Sequence, residues 1–227
     1  MASEGTEENL LAAGQQGVRA RPETMRDEWV VECAAQLFLE GGLSSVKMTD
    51  IADASGVGVA TLYRRFKSKT RLSVEVATLL WKRFNERISE LVESDDFLTM
   101  NGADRLETLL REYGAHYVAN REFVSFLDEF DHLVLSEGVE GGELESYGRE
   151  VDSFYIIFDD AYKLGVSDGS VLILPDFATF YKSGVAHALV SVAEKMARGE
   201  VIPSDDFSDG MEELDCIVDM AVKYVRK

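Results

Sequence analysis

The sequence predicts an all-α fold: a short three-helix unit near the N-terminal end, followed by a longer helical body. Three observations predict it. Apolar residues recur at three- and four-residue steps along most of the 227-residue chain. The strand-like run Ser170-Val171-Leu172-Ile173-Leu174 has no second strand to pair with. Between Asp50 and Tyr63, two short helical patterns are separated by Gly56-Val57-Gly58, the layout of a helix-turn-helix.

Residues 1–20 are polar and aperiodic and are expected to form a disordered tail. A first helix is expected from Thr24 to Glu40, with Trp29, Val30, Cys33, Ala34, Leu37 and Phe38 on its apolar face. Thr24 with Asp27 would cap its start, and Gly41-Gly42 would end it. Ile51, Ala52 and Ala54 give the second helix its inner face. Val59 to Phe66 forms the third, with Leu62 and Phe66 turned inward. Ser68 can cap a long fourth helix carrying Leu72, Val76, Leu79, Leu80, Phe84, Ile88 and Leu91. Further helices are expected over 106–119, 122–135, 146–164, 175–198 and 209–226. Gly138 to Gly142 reads as a plain turn, and Ser170–Leu174 as an extended lead into the helix near Pro175. The expected parts are a tail (1–20), a helix-turn-helix unit (21–72) and a helical body (73–227).

Charge separates these parts. The formal net charge is −19, which alone argues against a nucleic-acid partner. Yet between Gly42 and Leu72 six basic residues (Lys47, Arg64, Arg65, Lys67, Lys69 and Arg71) stand against Asp50 and Asp53, a local balance of +4. A basic face on an acidic body is the electrostatic footprint of a duplex reader with one docking geometry. Arg19 and Arg21 could add a minor-groove arm, although an untethered tail is the preferred reading.

Phe38, Gly41 or Gly42, Ile51-Ala52, Gly56-Val57, Thr61-Leu62-Tyr63, Phe66 and Lys69-Thr70-Arg71-Leu72 form an ordered set. In this set the chain resembles the TetR family of bacterial transcriptional regulators, over about a quarter of its length. The resemblance implies a homodimer, a variable small-molecule site, and release of a palindromic operator when that site is filled. It also makes Thr49, Val59, Ala60 and Thr61 base-facing, and Tyr63, Arg65 and Lys69 phosphate-contacting. Val59 and Ala60 can pack only on thymine methyls, and Arg64 is the best further source of a guanine contact. Lys47 and Lys67 would add phosphate attraction, as would Arg71. Lys47 and Gly58 stand where the family usually has Ser or Thr.

Nothing in the remainder carries a catalytic signature, and no cofactor or metal is expected. His116, His132 and His187 are scattered, and Asp128, Glu129, Asp131 and His132 read as a solvated helix face. A ligand pocket is assigned to Tyr113, His116, Tyr117, Phe126, Phe130, Phe154, Phe158, Phe177 and Tyr181, an aromatic set that equally suits a core. Nearby carboxylates suit a cationic or aromatic effector. Gly184 and Ala188, with the stripe Met211, Leu214, Val218, Ala221 and Val225, are assigned to a dimer interface. Cys33 and Cys216 read as buried thiols. With no apolar run long enough to span a bilayer and no leader-like start, no membrane association and a cytoplasmic location are expected.

The expected function is therefore a ligand-responsive DNA-binding regulator, a repressor by the family's default. The alternative is an acidic helical interaction protein that keeps the helix-turn-helix as scaffold.

Overall fold

A computed structural model of the chain describes residues 23–199 and 210–227. The expected tail and the Arg19 and Arg21 arm lie outside them. The described residues are helical almost throughout, and the fold is all-α. They contain one isolated antiparallel bridge, Val171 to Arg226.

The chain divides into two compact units. One comprises residues up to Leu80 together with Glu129–Tyr147; the other comprises Trp81–Asp128 and Gly148–Lys227. The boundary at residue 72 expected from sequence therefore differs on two counts: it falls later in the fourth helix, and a distant segment joins the head.

In the head, α1 (Glu23–Gly41), α2 (Met48–Ser55) and α3 (Val59–Phe66) are followed by α4 (Lys69–Val92). Val30, Ala34 and Phe38 of α1, Ile51 and Ala52 of α2, and Leu62 of α3 are all buried. Asp27 is ion-paired with Arg65, while the Thr24 side chain of the expected cap lies outside the described residues. Ser68 caps α4 as expected, accepting the Arg71 N–H at 3.1 Å.

The distant segment is tied to the head by side chains. Glu129 accepts the Ser44 N–H at 2.6 Å. The Thr70 hydroxyl donates to the Glu137 carboxylate, and Arg71 is ion-paired with Glu143. The Phe130 ring packs against Tyr147 at 5.2 Å. These residues belong to α7 (Arg121–Glu137), a 3-10 turn at Gly141–Leu144 and the start of α8 (Glu145–Asp168).

In the body, a short α5 (Asp95–Thr99), absent from the sequence reading, is capped by Ser94. Next comes α6 (Gly102–Ala119), capped by Asn101. Gly102 touches Gly165 of α8 backbone to backbone. A Cβ at residue 102 would overlap the Gly165 main chain and lie 2.6 Å from the Ala161 carbonyl oxygen. Glycine is required there because only a bare Cα permits such an approach.

The run after α8 is extended, as expected, but it has a partner. Leu172 N–H donates to Val225 O at 2.7 Å, and Lys227 N–H to Ser170 O at 3.0 Å. Asp176 then opens a π-helical segment, Thr179–Ala186, by accepting the Thr179 N–H at 2.9 Å. This segment runs into α9 (His187–Arg198); α10 (Gly210–Val225) closes the chain. α10 packs on α6, α9 and the π-helical segment. Arg111 pairs with Glu107, Asp215 and Asp219, and Arg226 with Asp104 and Glu107, so an ion network borders the α6–α10 seam.

Candidate nucleic-acid interface

Local chemistry sets the angle between α2 and α3. The Lys47 N–H donates to the Asp50 carboxylate at 2.9 Å, which starts α2. Gly56 ends α2 with φ of 69°, a left-handed conformation that L side chains rarely adopt. Gly58 precedes α3 in extended conformation, and its carbonyl accepts the Thr61 N–H at 2.8 Å. Leu62 anchors α3 while Val59, Ala60, Tyr63 and Arg64 remain exposed; Thr61 is half-buried. Thr49 and Lys47, at the start of α2, are exposed as well. Tyr63 is 48% exposed, which for a tyrosine beside a helix core leaves the ring and hydroxyl available to a partner.

The basic residues divide into two groups, a division that sequence reasoning missed. Arg65 is ion-paired with Asp27, and Arg71 with Glu143. The Lys69 ammonium donates to the carbonyls of Leu43 (2.8 Å), Val46 (3.1 Å) and Ser44 (3.3 Å). Lys47, Arg64 and Lys67 are exposed. Lys67 also holds φ of 63°, the left-handed region, where α3 gives way to α4. Arg65 and Lys69, expected at phosphates, both make contacts within the head.

In the body, Tyr113, Tyr117, Phe126, Phe154, Phe158, Phe177 and Tyr181 are buried and His116 is half-buried. Phe154 is central, with ring centroids of Tyr113 at 5.0 Å, Phe84 at 5.0 Å, Phe158 at 5.1 Å and Trp81 at 5.7 Å. Phe158 stacks on Tyr181 at 4.1 Å, and Tyr162 on Phe177 at 4.0 Å. His116 stacks on Phe84 at 4.0 Å. Burial, helped by the nearby charge of Arg87, lowers the His116 pKa to about 4, so the ring is neutral at physiological pH. The hydroxyls of Tyr113 and Tyr117 bond each other at 2.9 Å. Within the body, two buried donors, Trp81 Nε1 and the Tyr181 hydroxyl, and one acceptor, Asn85 Oδ1, have no hydrogen-bond partner among the described residues. Phe130 is removed from the pocket set, because it packs in the head unit with Tyr147.

Most of the expected dimer stripe is also corrected. Leu214, Val218, Ala221 and Val225 are buried within their own unit, where α10 packs on α6 and α9. Leu214 Cβ lies 4.0 Å from the position a Cβ on Gly114 would take, so the two helices meet closely. Gly184 and Met211 are exposed and Ala188 is half-buried. The outer side of α10 presents Met220, 60% exposed, and Tyr224, 61% exposed. Cys216 is exposed, not buried, while Cys33 is buried as expected. No helix among the described residues is long and apolar enough to cross a membrane.

Comparison with known proteins agrees with this geometry. The sequence profile "Bacterial regulatory proteins, tetR family" matches residues 30–76. The HTH-type transcriptional repressor KstR2 of Mycolicibacterium smegmatis is 39% identical over 155 residues, covering 66% of this chain and 69% of that protein. The HTH-type transcriptional regulator SAR0097 of Staphylococcus aureus is 29% identical over 118 residues, 49% of this chain. The match spans 58% of SAR0097, less than two thirds of its length. A crystal structure of a transcriptional regulator from Saccharomonospora viridis in complex with choline superposes with a TM-score of 0.66. It is 16% identical, and the match covers 90% of this chain and all of that one, a likeness of fold. With its helix-turn-helix intact and an identity of 39% over most of the length of one repressor, the chain belongs to the TetR family of bacterial regulatory proteins.

Proposed function

We propose that the protein is a ligand-responsive transcriptional regulator, a homodimeric repressor that leaves a palindromic operator when a small molecule fills its helical body. One observation carries this reading: α3 exposes Val59, Ala60, Tyr63 and Arg64, with Thr61 half-buried among them, although the chain as a whole is strongly acidic. Thr49, Val59, Ala60, Thr61 and Arg64 would meet base edges. Tyr63, Lys47 and Lys67 would meet phosphates. The reading is supported by the relatives, which include a transcriptional repressor.

The effector would occupy the aromatic cluster around Phe154. Trp81 Nε1 and the Tyr181 hydroxyl, unpartnered among the described residues, can each donate a hydrogen bond, and an indole N–H can only donate. They call for a ligand with acceptors, such as carbonyl, ether or hydroxyl oxygens. His116 is neutral, and the Lys182 ammonium lies over the Tyr155 ring at 4.4 Å, beside Phe154 and Tyr181. Inward donors and a nearby ammonium disfavour a positively charged ligand, so we favour an uncharged, mainly apolar effector over a cationic one. For the dimer, Met220, Tyr224 and Met211 of α10, with Gly184 and Ala188, make the apolar face left for a second copy.

The test is a mobility-shift assay on duplexes from the gene's own neighbourhood, with and without neutral aromatic ketones and quaternary ammonium compounds. A retarded dimer complex, dissolved by neutral compounds and not by ammonium compounds, is expected. No retardation of any duplex at low salt would favour the scaffold alternative.

A further inference from the structure

We infer that Lys69 and Glu129 are a positioning pair, which clamps the turn between α1 and α2 from two sides and so sets the start of α2 for DNA. The turn spans residues 42–47. Its end carbonyls, Gly42 and Lys47, accept backbone N–H groups, while those of Leu43, Ser44 and Val46 lie between them. An ammonium has three protons to donate, and Lys69 meets three carbonyls of this turn, those of Leu43, Ser44 and Val46. That leaves no proton for a phosphate. From the other side, the Glu129 carboxylate accepts the Ser44 N–H at 2.6 Å. Gly42, at φ of 81°, leaves room for that carboxylate, since a Cβ there would lie 3.1 Å from Glu129 Oε1.

Glu129 is itself held in place. Its segment is fastened to the first turn of α4 by Thr70 with Glu137 and by Arg71 with Glu143. The turn delivers the chain directly to Lys47, whose N–H opens α2, and to Thr49. Loosening it displaces the α2 residues proposed to face DNA while leaving α3 intact. The role is thus that of a brace for the reading head. It rests on the proposed function only where DNA is the readout.

The full-length protein and its Lys69→Met, Glu129→Ala and Lys67→Ala variants test this in two arms. The first needs no DNA: hydrogen–deuterium exchange of residues 42–48, which should speed up about tenfold in Lys69→Met and Glu129→Ala and stay unchanged in Lys67→Ala. The second is binding to a mixed-sequence duplex of about 30 base pairs across a salt series. Each lost phosphate contact flattens the slope of log K against log salt by about 0.9. Lys67→Ala should flatten the slope by that amount for each of its copies that touches DNA. Lys69→Met should weaken binding several-fold with an unchanged slope.

Glu129→Ala gives the sharpest contrast, since removing a negative charge would by itself tighten binding to a polyanion, whereas loss of the brace weakens it. Unchanged exchange of residues 42–48 in both brace variants overturns the inference, whether or not the duplex binds. So does a slope flattened in Lys69→Met as in Lys67→Ala, or tighter binding by Glu129→Ala. If no variant and not even the parent binds the duplex, the exchange arm decides the brace, and the proposed function is what fails.

Discussion

Acidification should loosen the helical body through His116. The imidazole stacks on Phe84 at 4.0 Å, and its Nδ1 lies 3.2 Å from the Asn120 side-chain nitrogen. Burial, with the charge of Arg87 as a lesser cause, takes its pKa from the ordinary 6.5 to about 4. The unfolded chain therefore binds this proton at a pH where the folded chain does not. The stabilising contribution is complete above the unfolded value and is lost as pH falls from about 6.5 towards 4. Between pH 7.5 and pH 5 the linkage is about 2 kcal/mol in the absence of solvent screening, and about 1 kcal/mol for a ring that keeps partial solvent contact. The assay is urea denaturation at both pH values for the parent and for His116→Phe, which keeps a ring against Phe84. Other groups titrate equally in the two proteins, so their difference isolates His116. The parent should lose about 1 kcal/mol more than the variant on acidification. Equal losses would show that the imidazole is protonated in the folded protein and would refute the assignment of a neutral ring.

Three further outcomes are expected. Gly102→Ala should destabilise the body by about 3 kcal/mol, because the added carbon meets main-chain atoms that cannot yield; an unchanged thermal midpoint would contradict the backbone contact with Gly165. Tyr181→Phe should raise the thermal midpoint of the ligand-free protein, since an unpartnered buried hydroxyl costs about 1 kcal/mol or more. The same change should weaken the response to a neutral effector, and a lowered midpoint would mean the hydroxyl has a partner. Lys67→Gly should stabilise the head by about 1 kcal/mol through relief of the left-handed strain. It should also lower DNA affinity by removing an exposed cation, and tighter binding would exclude Lys67 from the phosphate contacts.

The parts legible in the sequence were those fixed by neighbours along the chain. Gly56 had to be a left-handed cap because a helix stops there and another begins three residues on. α3 runs from Val59 to Phe66, as its pattern foretold. Ser68 caps α4 through its own local bond. What was missed depends on residues far apart. The stripe on α10 shows that one face is buried, but periodicity does not say against what, and that face turned out to meet α6 and α9 of the same unit. Lys69 stands at a familiar spacing, yet its protons go to carbonyls across the head. Glu129 was read as part of a solvated face, and its bond to Ser44 joins positions 85 residues apart. Gly102 and Gly165 show no sequence sign that they touch. Trp81 was not singled out in the sequence, and only burial without a partner among the described residues draws attention to its indole N–H.

The division of the basic residues bears most directly on how the head meets DNA. With Arg65, Lys69 and Arg71 engaged inside the head and Arg64 assigned to base edges, Lys47 and Lys67 are the cations left for phosphates. The decisive measurement is the salt dependence of binding of the dimer to a duplex it retards. Two cations from each of two heads give a slope of log K against log salt of about −4. A slope near −7, the value expected if Arg65 and Lys69 also reached the backbone, would contradict the division. Failure to bind any duplex at low salt would contradict the DNA-reading head itself.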